Sequence, residues 1–108
     1  MKSFRLKNGK NVEVEREIKT LKVVNIGNTD YYKGKNHDEF TLTDGENQYI
    51  YNGSLNADMT VYDTKIAQEL CYAENKYVVI SAYFVPMEST FGNEYFYIYN
   101  PRLLEVKD

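Results

Sequence analysis

Most of the chain alternates apolar and polar residues with a period of two, in runs of strand length. The first run carries Phe4 and Leu6, turns at Asn8-Gly9 and returns with Val12 and Val14. Asn-Gly between alternating apolar residues predicts a hairpin over residues 1–14. Setting Leu6 opposite Val12 leaves Gly9 out of the last loop position, where glycine usually sits. From Val12 to Ile26 the apolar residues fall on even numbers (Val12, Val14, Ile18), then odd (Leu21, Val23), then even again (Val24, Ile26). Period two with slips predicts a long strand that bends or bulges and shows different faces along its length.

Gly27 to Asp38 reads as a polar loop containing Tyr31, Tyr32, Lys33, Gly34 and Lys35. Phe40 and Leu42 then alternate with Thr41 and Thr43, Asp44-Gly45 turns the chain, and Gln48 to Tyr51 returns. A four-residue loop sets Phe40 against Tyr51 and Leu42 against Tyr49. Residues 53–62 read as irregular. Asp63 or Thr64 can cap a short helix to Asn75, with Ile66, Ala67, Leu70 and Cys71 on one face. Asn75 suits a left-handed helix end. Two strands follow, Tyr77 to Val85, stopped by Pro86, and Glu94 to Asn100, joined by the loop Met87 to Asn93. The second places Tyr95, Tyr97 and Tyr99 on one face and Phe96 and Ile98 on the other. Leu103, Leu104 and Val106 extend or cap its end.

Composition narrows the class. The 108 residues make one domain, without a repeat or linker. Leu, Ile, Val and Phe number 27, a quarter of the chain, above the share below which highly charged chains stay unfolded. A single cysteine, Cys71, excludes an internal disulfide framework and any multi-cysteine metal site. No apolar run approaches the ~20 residues of a helical membrane span, and MKSFRLKNGK lacks the apolar stretch of a secretory signal. A soluble, cytoplasmic domain is the expectation.

The net charge of −3 divides unevenly: residues 1–35 sum to +5 and residues 36–108 to −8. Such a split predicts either a bipolar surface or unlike charges neutralised on neighbouring strands. Eleven Asn, ten Lys and eleven Tyr share A/T-rich codons, which suits a low-GC bacterium, its phages or its plasmids. Part of the tyrosine excess then reflects codon usage.

The order of a bent strand, two strands, a short helix and two strands resembles the OB-fold, the five-stranded Greek-key barrel of oligonucleotide- and oligosaccharide-binding domains. Tyr32-Lys33-Gly34-Lys35-Asn36 followed by Phe40 to Gly45 is similar to the first loop and second hairpin of nucleic-acid-binding members. Tyr77 to Tyr83 and Tyr95 to Tyr99 resemble their last two strands. The resemblance covers residues 15–106 and leaves 1–14 as a hairpin extension of a single domain, 1–108. It implies a mainly β, OB-like barrel with one short helix between its third and fourth strands.

Catalytic chemistry finds little support. His37 is the one histidine, in Asn36-His37-Asp38-Glu39, and reads as an exposed loop residue without converging partners. Cys71 reads as a buried structural thiol on the helix's apolar face. Ser54, Ser81 and Ser89 lack a nucleophile elbow, and the glycines form no phosphate loop. The expectation is a non-enzymatic binding module with no metal and no cofactor.

Two partners fit such a module. The resemblance implies single-stranded nucleic acid on the face of the second and third barrel strands. Stacking would come from Tyr31, Tyr32, Tyr49, Tyr51 and Phe91, and phosphate contacts from Lys33 and Lys35. Against it, Tyr49 and Tyr51 point into the barrel if they face Leu42 and Phe40. The same regions also set Asp38, Glu39, Asp44, Glu46, Glu88 and Glu94 against two lysines. The alternative is a protein-interaction or inhibitor module of a phage, plasmid or low-GC bacterium. It would use acidic surfaces and the Tyr95, Tyr97, Tyr99 row to dock on a basic protein partner. The same row can instead shield apolar surface under the N-terminal hairpin. Oligomeric state stays open, since an exposed edge strand can pair across a dimer.

Overall fold

The computed structural model describes residues 1–6, 8–32, 35–52, 64–88, 92 and 94–107, with the backbone alone described at 28–32, 35–38, 64, 68 and 88. The elements are β1 (Lys2–Arg5), β2 (Asn11–Val14), β3 (Arg16–Tyr32), β4 (Lys35–Thr43), β5 (Gln48–Asn52), α1 (Thr64–Cys71), β6 (Tyr77–Glu88) and β7 (Glu94–Lys107). β1 and β2 form a separate two-stranded sheet, and the other strands close a barrel in the order β3-β4-β5-β7-β6. This closed five-stranded barrel is consistent with an OB-like fold. No helix of the described residues is long and apolar enough to cross a membrane.

The N-terminal hairpin forms as expected, with a different register. Phe4 pairs with Val12, and the Leu6 N–H donates to the Lys10 carbonyl at 2.8 Å, so Leu6 does not oppose Val12. Gly9, whose N–H donates to the Leu6 carbonyl at 3.0 Å, comes just before Lys10, and its φ of 86° suits glycine at the end of the turn. The following strand begins at Arg16, not at Val12, because β2 turns away to pair with β1.

β3 bends where its second parity slip falls; at the first, pairing with β6 runs unbroken from Arg16 to Lys22 and Ile18 faces solvent. Leu21 and Val23 face the core; Val23 pairs with Leu42 and Asn25 with Thr41, which leaves Val24 as the extra, exposed residue of a bulge. After the bulge Ile26 pairs with Phe40 and packs on the core, restoring even numbers to the inside. Before it β3 pairs with β6 over Arg16–Lys22, and around and after it with β4. One strand thus serves both seams of the closed barrel. The polar segment 27–38, expected as a loop, is largely strand: β3 and β4 continue pairing to Tyr32 and Lys35, and His37 sits in β4 opposite Thr29. Polar composition misled there because a ladder needs only backbone groups.

The β4–β5 hairpin has the expected register, Phe40 with Tyr51 and Leu42 with Tyr49, across the four residues 44–47. Its turn is built locally: the Glu46 and Asn47 N–H groups donate to Asp44 Oδ1 at 2.9 and 2.8 Å, and Gly45 has a φ of 97°. Helix α1 ends at Cys71, earlier than expected, and a turn carries the chain to Asn75, whose φ is 66°. Ile66, Ala67 and Leu70 are buried as predicted, but Cys71 is exposed and Ala73 takes the buried place. Cys71, the last helical residue, falls at the edge of the apolar stripe, and beyond it the turn rather than helical spacing decides that Ala73 points inward.

The core joins both barrel walls and α1: Leu21, Val23, Phe40, Leu42, Tyr49, Tyr51, Leu70, Val78, Ile80, Ala82, Phe84 and Ile98 are all buried in it. β6 runs past Val85 to Glu88, with Pro86 paired to Phe96. Pairing with β3 ends at Tyr83, so beyond it β6 is unpaired on that side and a residue without an N–H is tolerated.

Candidate interaction surface

Strand alternation sends Phe96 and Ile98 inward and Tyr95, Tyr97 and Tyr99 outward. Phe96 stacks on Tyr49 with ring centroids 5.1 Å apart, inside the barrel. The outer tyrosines stand edge to face: Tyr95 and Tyr97 at 5.5 Å and 87°, Tyr97 and Tyr99 at 6.1 Å and 72°. Register widens this row into a surface. On β6, Tyr83, Val85 and Met87 pair with Tyr99, Tyr97 and Tyr95. On β5, Ile50 pairs with Tyr97, Asn52 lies two residues beyond it on the same face, and Glu39 of β4 pairs with Asn52. Val85 is fully buried although it faces away from the barrel core.

The hairpin covers one end of this surface. Phe4 is buried, with its ring 5.0 Å from Tyr99 and 5.8 Å from Tyr83. Lys2 Nζ lies 5.7 Å from the centre of the Tyr83 ring and the Arg16 guanidinium 4.8 Å from it, which places both cations on aromatic faces. Arg16 also donates to the Ser81 carbonyl at 2.9 Å and the Asn100 carbonyl at 3.0 Å, fastening the chain just after the hairpin. Tyr97 and Tyr95 remain partly exposed beyond it.

Electrostatics distinguishes the two flanks. Burial, then Tyr95, then the Glu39 carboxylate and Tyr99 push the Tyr97 phenol up to about 12. Burial, with Tyr95 second, raises the Tyr99 phenol as well. Glu94, next to Tyr95 in β7, is exposed, but alternation assigns it to the opposite side of the strand from Tyr95. The Glu39 carboxylate thus flanks the open part of the surface, whereas the Lys2 and Arg16 cations on the hairpin side are engaged with rings and carbonyls. Among the described residues, Lys19 and Glu17 form an ion pair at 3.4 Å, both within β3.

The residues expected to stack on nucleic acid separate into two groups. Tyr49 and Tyr51 are core, 1 % and 2 % exposed, and offer no face to a base. Their pairing with Leu42 and Phe40 dictates this, because paired residues share a side of the sheet. The Tyr49 hydroxyl escapes burial cost by donating to Asp44 Oδ2 at 2.9 Å. Burial and the Asp44 carboxylate push that phenol up to about 12. Lys33 and Phe91 lie outside the described residues, as do the side chains of Tyr31, Tyr32 and Lys35. The outward residues of β4 and β5 that are described, Glu39, Thr41, Thr43, Gln48, Ile50 and Asn52, include no cation and no aromatic ring. No group of three or more His, Cys, Asp or Glu gathers among the described residues in a way that would hold a metal.

Tyr83, Val85, Asn52 and Glu39 were not foreseen as parts of one surface. A signal existed in the near-continuous apolar run Tyr77 to Val85, since a strand covered on both faces loses its alternation. No protein-family model matches the chain, and no curated protein matches it in sequence.

Proposed function

We propose that the protein is an OB-like, non-enzymatic binding module that docks a basic protein partner on the outer face of β5, β7 and β6. The observation that carries this is the partly exposed Tyr95–Tyr97 pair flanked by the Glu39 carboxylate. Tyrosines held by packing lose little side-chain entropy on binding and are frequent anchors at protein interfaces. A carboxylate on their flank attracts lysine and arginine and repels phosphate. The interaction-module reading is therefore favoured over stacking of single-stranded nucleic acid, whose described strand face has neither rings nor cations.

The test is a pair of titrations at low salt, one with a lysine- and arginine-rich peptide and one with a single-stranded oligonucleotide. The peptide is expected to bind, and the Tyr95→Ala/Tyr97→Ala double variant to lose that binding. Oligonucleotide binding that is abolished by Tyr31→Ala/Tyr32→Ala, with no peptide binding, would replace this reading by the nucleic-acid one.

A further inference from the structure

Between Tyr97 and Tyr99 the outer surface holds a small cleft of about 20 Å³, lined by Asn52, Tyr97, Ile98 and Tyr99. Among the described residues, Asn52 Oδ1 is the buried side-chain atom without a hydrogen-bond partner. A buried amide oxygen left unpaired costs on the order of 1–3 kcal/mol, so the site is poised to accept a donor. The Tyr97 and Tyr99 rings beside it stand at 72° to each other, and an aromatic face favours a cation brought against it. Glu39 pairs with Asn52 across the β4–β5 ladder and adds a negative charge on the same flank. Asn52 Oδ1 and the Glu39 carboxylate therefore favour a positively charged hydrogen-bond donor, and Ile98 and the two rings supply apolar lining for the stem that carries it.

Size selects further. A space this small holds one group about the size of a water molecule. An ammonium matches that size, whereas a planar guanidinium with five N–H donors does not. We propose that this cleft receives the terminal ammonium of a lysine side chain of the partner. The ammonium donates to Asn52 Oδ1 and lies against the Tyr97 and Tyr99 rings. This rests on the basic-partner reading above and adds the residue type recognised.

The experiment titrates the full chain with three peptides: alternating lysine and glycine, the same peptide with every lysine acetylated, and the arginine counterpart. The lysine peptide is expected to bind about tenfold more tightly than the acetylated one, and more tightly than the arginine one. Asn52→Ala is expected to remove the preference for lysine over arginine. Equal binding of the lysine and arginine peptides, or a lysine preference that survives Asn52→Ala, overturns the proposal. The same holds if a single ordered water proves to occupy the cleft with the lysine peptide bound. If the peptides bind without that preference and Tyr95→Ala/Tyr97→Ala still abolishes binding, only the lysine assignment fails. If none binds, the basic-partner reading fails with it.

Discussion

Replacing Phe4 by alanine tests whether the hairpin is a docked accessory or part of the barrel's cooperative unit. The hairpin shares no strand pairing with the barrel, and Phe4, 8 % exposed, supplies the ring contacts to Tyr83 and Tyr99. Burying a phenylalanine contributes about 1.5–3 kcal/mol, and each aromatic pair about 0.5–1.5 kcal/mol more. Allowing for partial relaxation, Phe4→Ala is expected to cost about 3 kcal/mol of docking free energy. An isolated two-stranded hairpin is marginal in water, so the hairpin then opens on its own. Hydrogen exchange reads this directly. The Leu6 amide, bonded to the Lys10 carbonyl, is expected to lose protection by roughly a hundredfold. The Val23 amide, bonded to the Lys76 carbonyl inside the barrel, is expected to change little. Undocking also uncovers Tyr99, so its phenol titrates closer to its ordinary range. Equal loss of protection at Leu6 and Val23 would refute the reasoning, because it would make hairpin and barrel one cooperative unit.

Three further outcomes follow from the turn and the buried phenols. Hydrogen bonds from the backbone N–H of Asn47 and then Glu46 hold the Asp44 carboxyl down at about 2, below the 3.8 of an ordinary aspartate. Its contribution is therefore fully present above pH 3.8 and is lost as pH falls toward 2. Because Asp44 is exposed, solvent screening limits this to about 1 kcal/mol, and urea unfolding of Asp44→Asn across that range should show a correspondingly flatter acid limb. At the alkaline end the signs reverse: Tyr49 and Tyr97 ionise near 12 when folded but near 10 when unfolded, so stability falls as pH rises between these values. Absorbance of the folded protein should show a phenolate step near pH 12 that Tyr97→Phe reduces. Gly45→Ala meets no atom within 4 Å but is strained at a φ of 97°, so thermal unfolding should report a loss of about 1–2 kcal/mol from backbone strain.

The β4–β5 hairpin was legible residue by residue because its register follows from one turn signal and two apolar pairs close in sequence. The bend of β3 was legible as well, since an inserted residue such as Val24 shifts the parity of every apolar position after it. The extension of β3 and β4 beyond Gly27 was not, because backbone pairing leaves no hydrophobic signature in polar residues. Nor was the exposure of Cys71, the last residue of α1, which at 100° per residue falls at the edge of the stripe formed by Ile66, Ala67 and Leu70. On the candidate surface, the outward row of Tyr95, Tyr97 and Tyr99 was visible from alternation alone.

By itself, then, the sequence determined the short hairpins, the alternation of sides along the apolar strands, and the division of charge along the chain. Those are local properties, fixed by side-chain period and turn chemistry within a few residues. Barrel closure, the cover Phe4 gives to Tyr83 and Tyr99, and the meeting of Asn52 and Glu39 with Tyr97 were decided only by the tertiary structure. The parallel pairing of β5 with β7 joins Ile50 to Tyr97 across 46 intervening residues, and period-two patterning carries no information about which distant strand lies alongside.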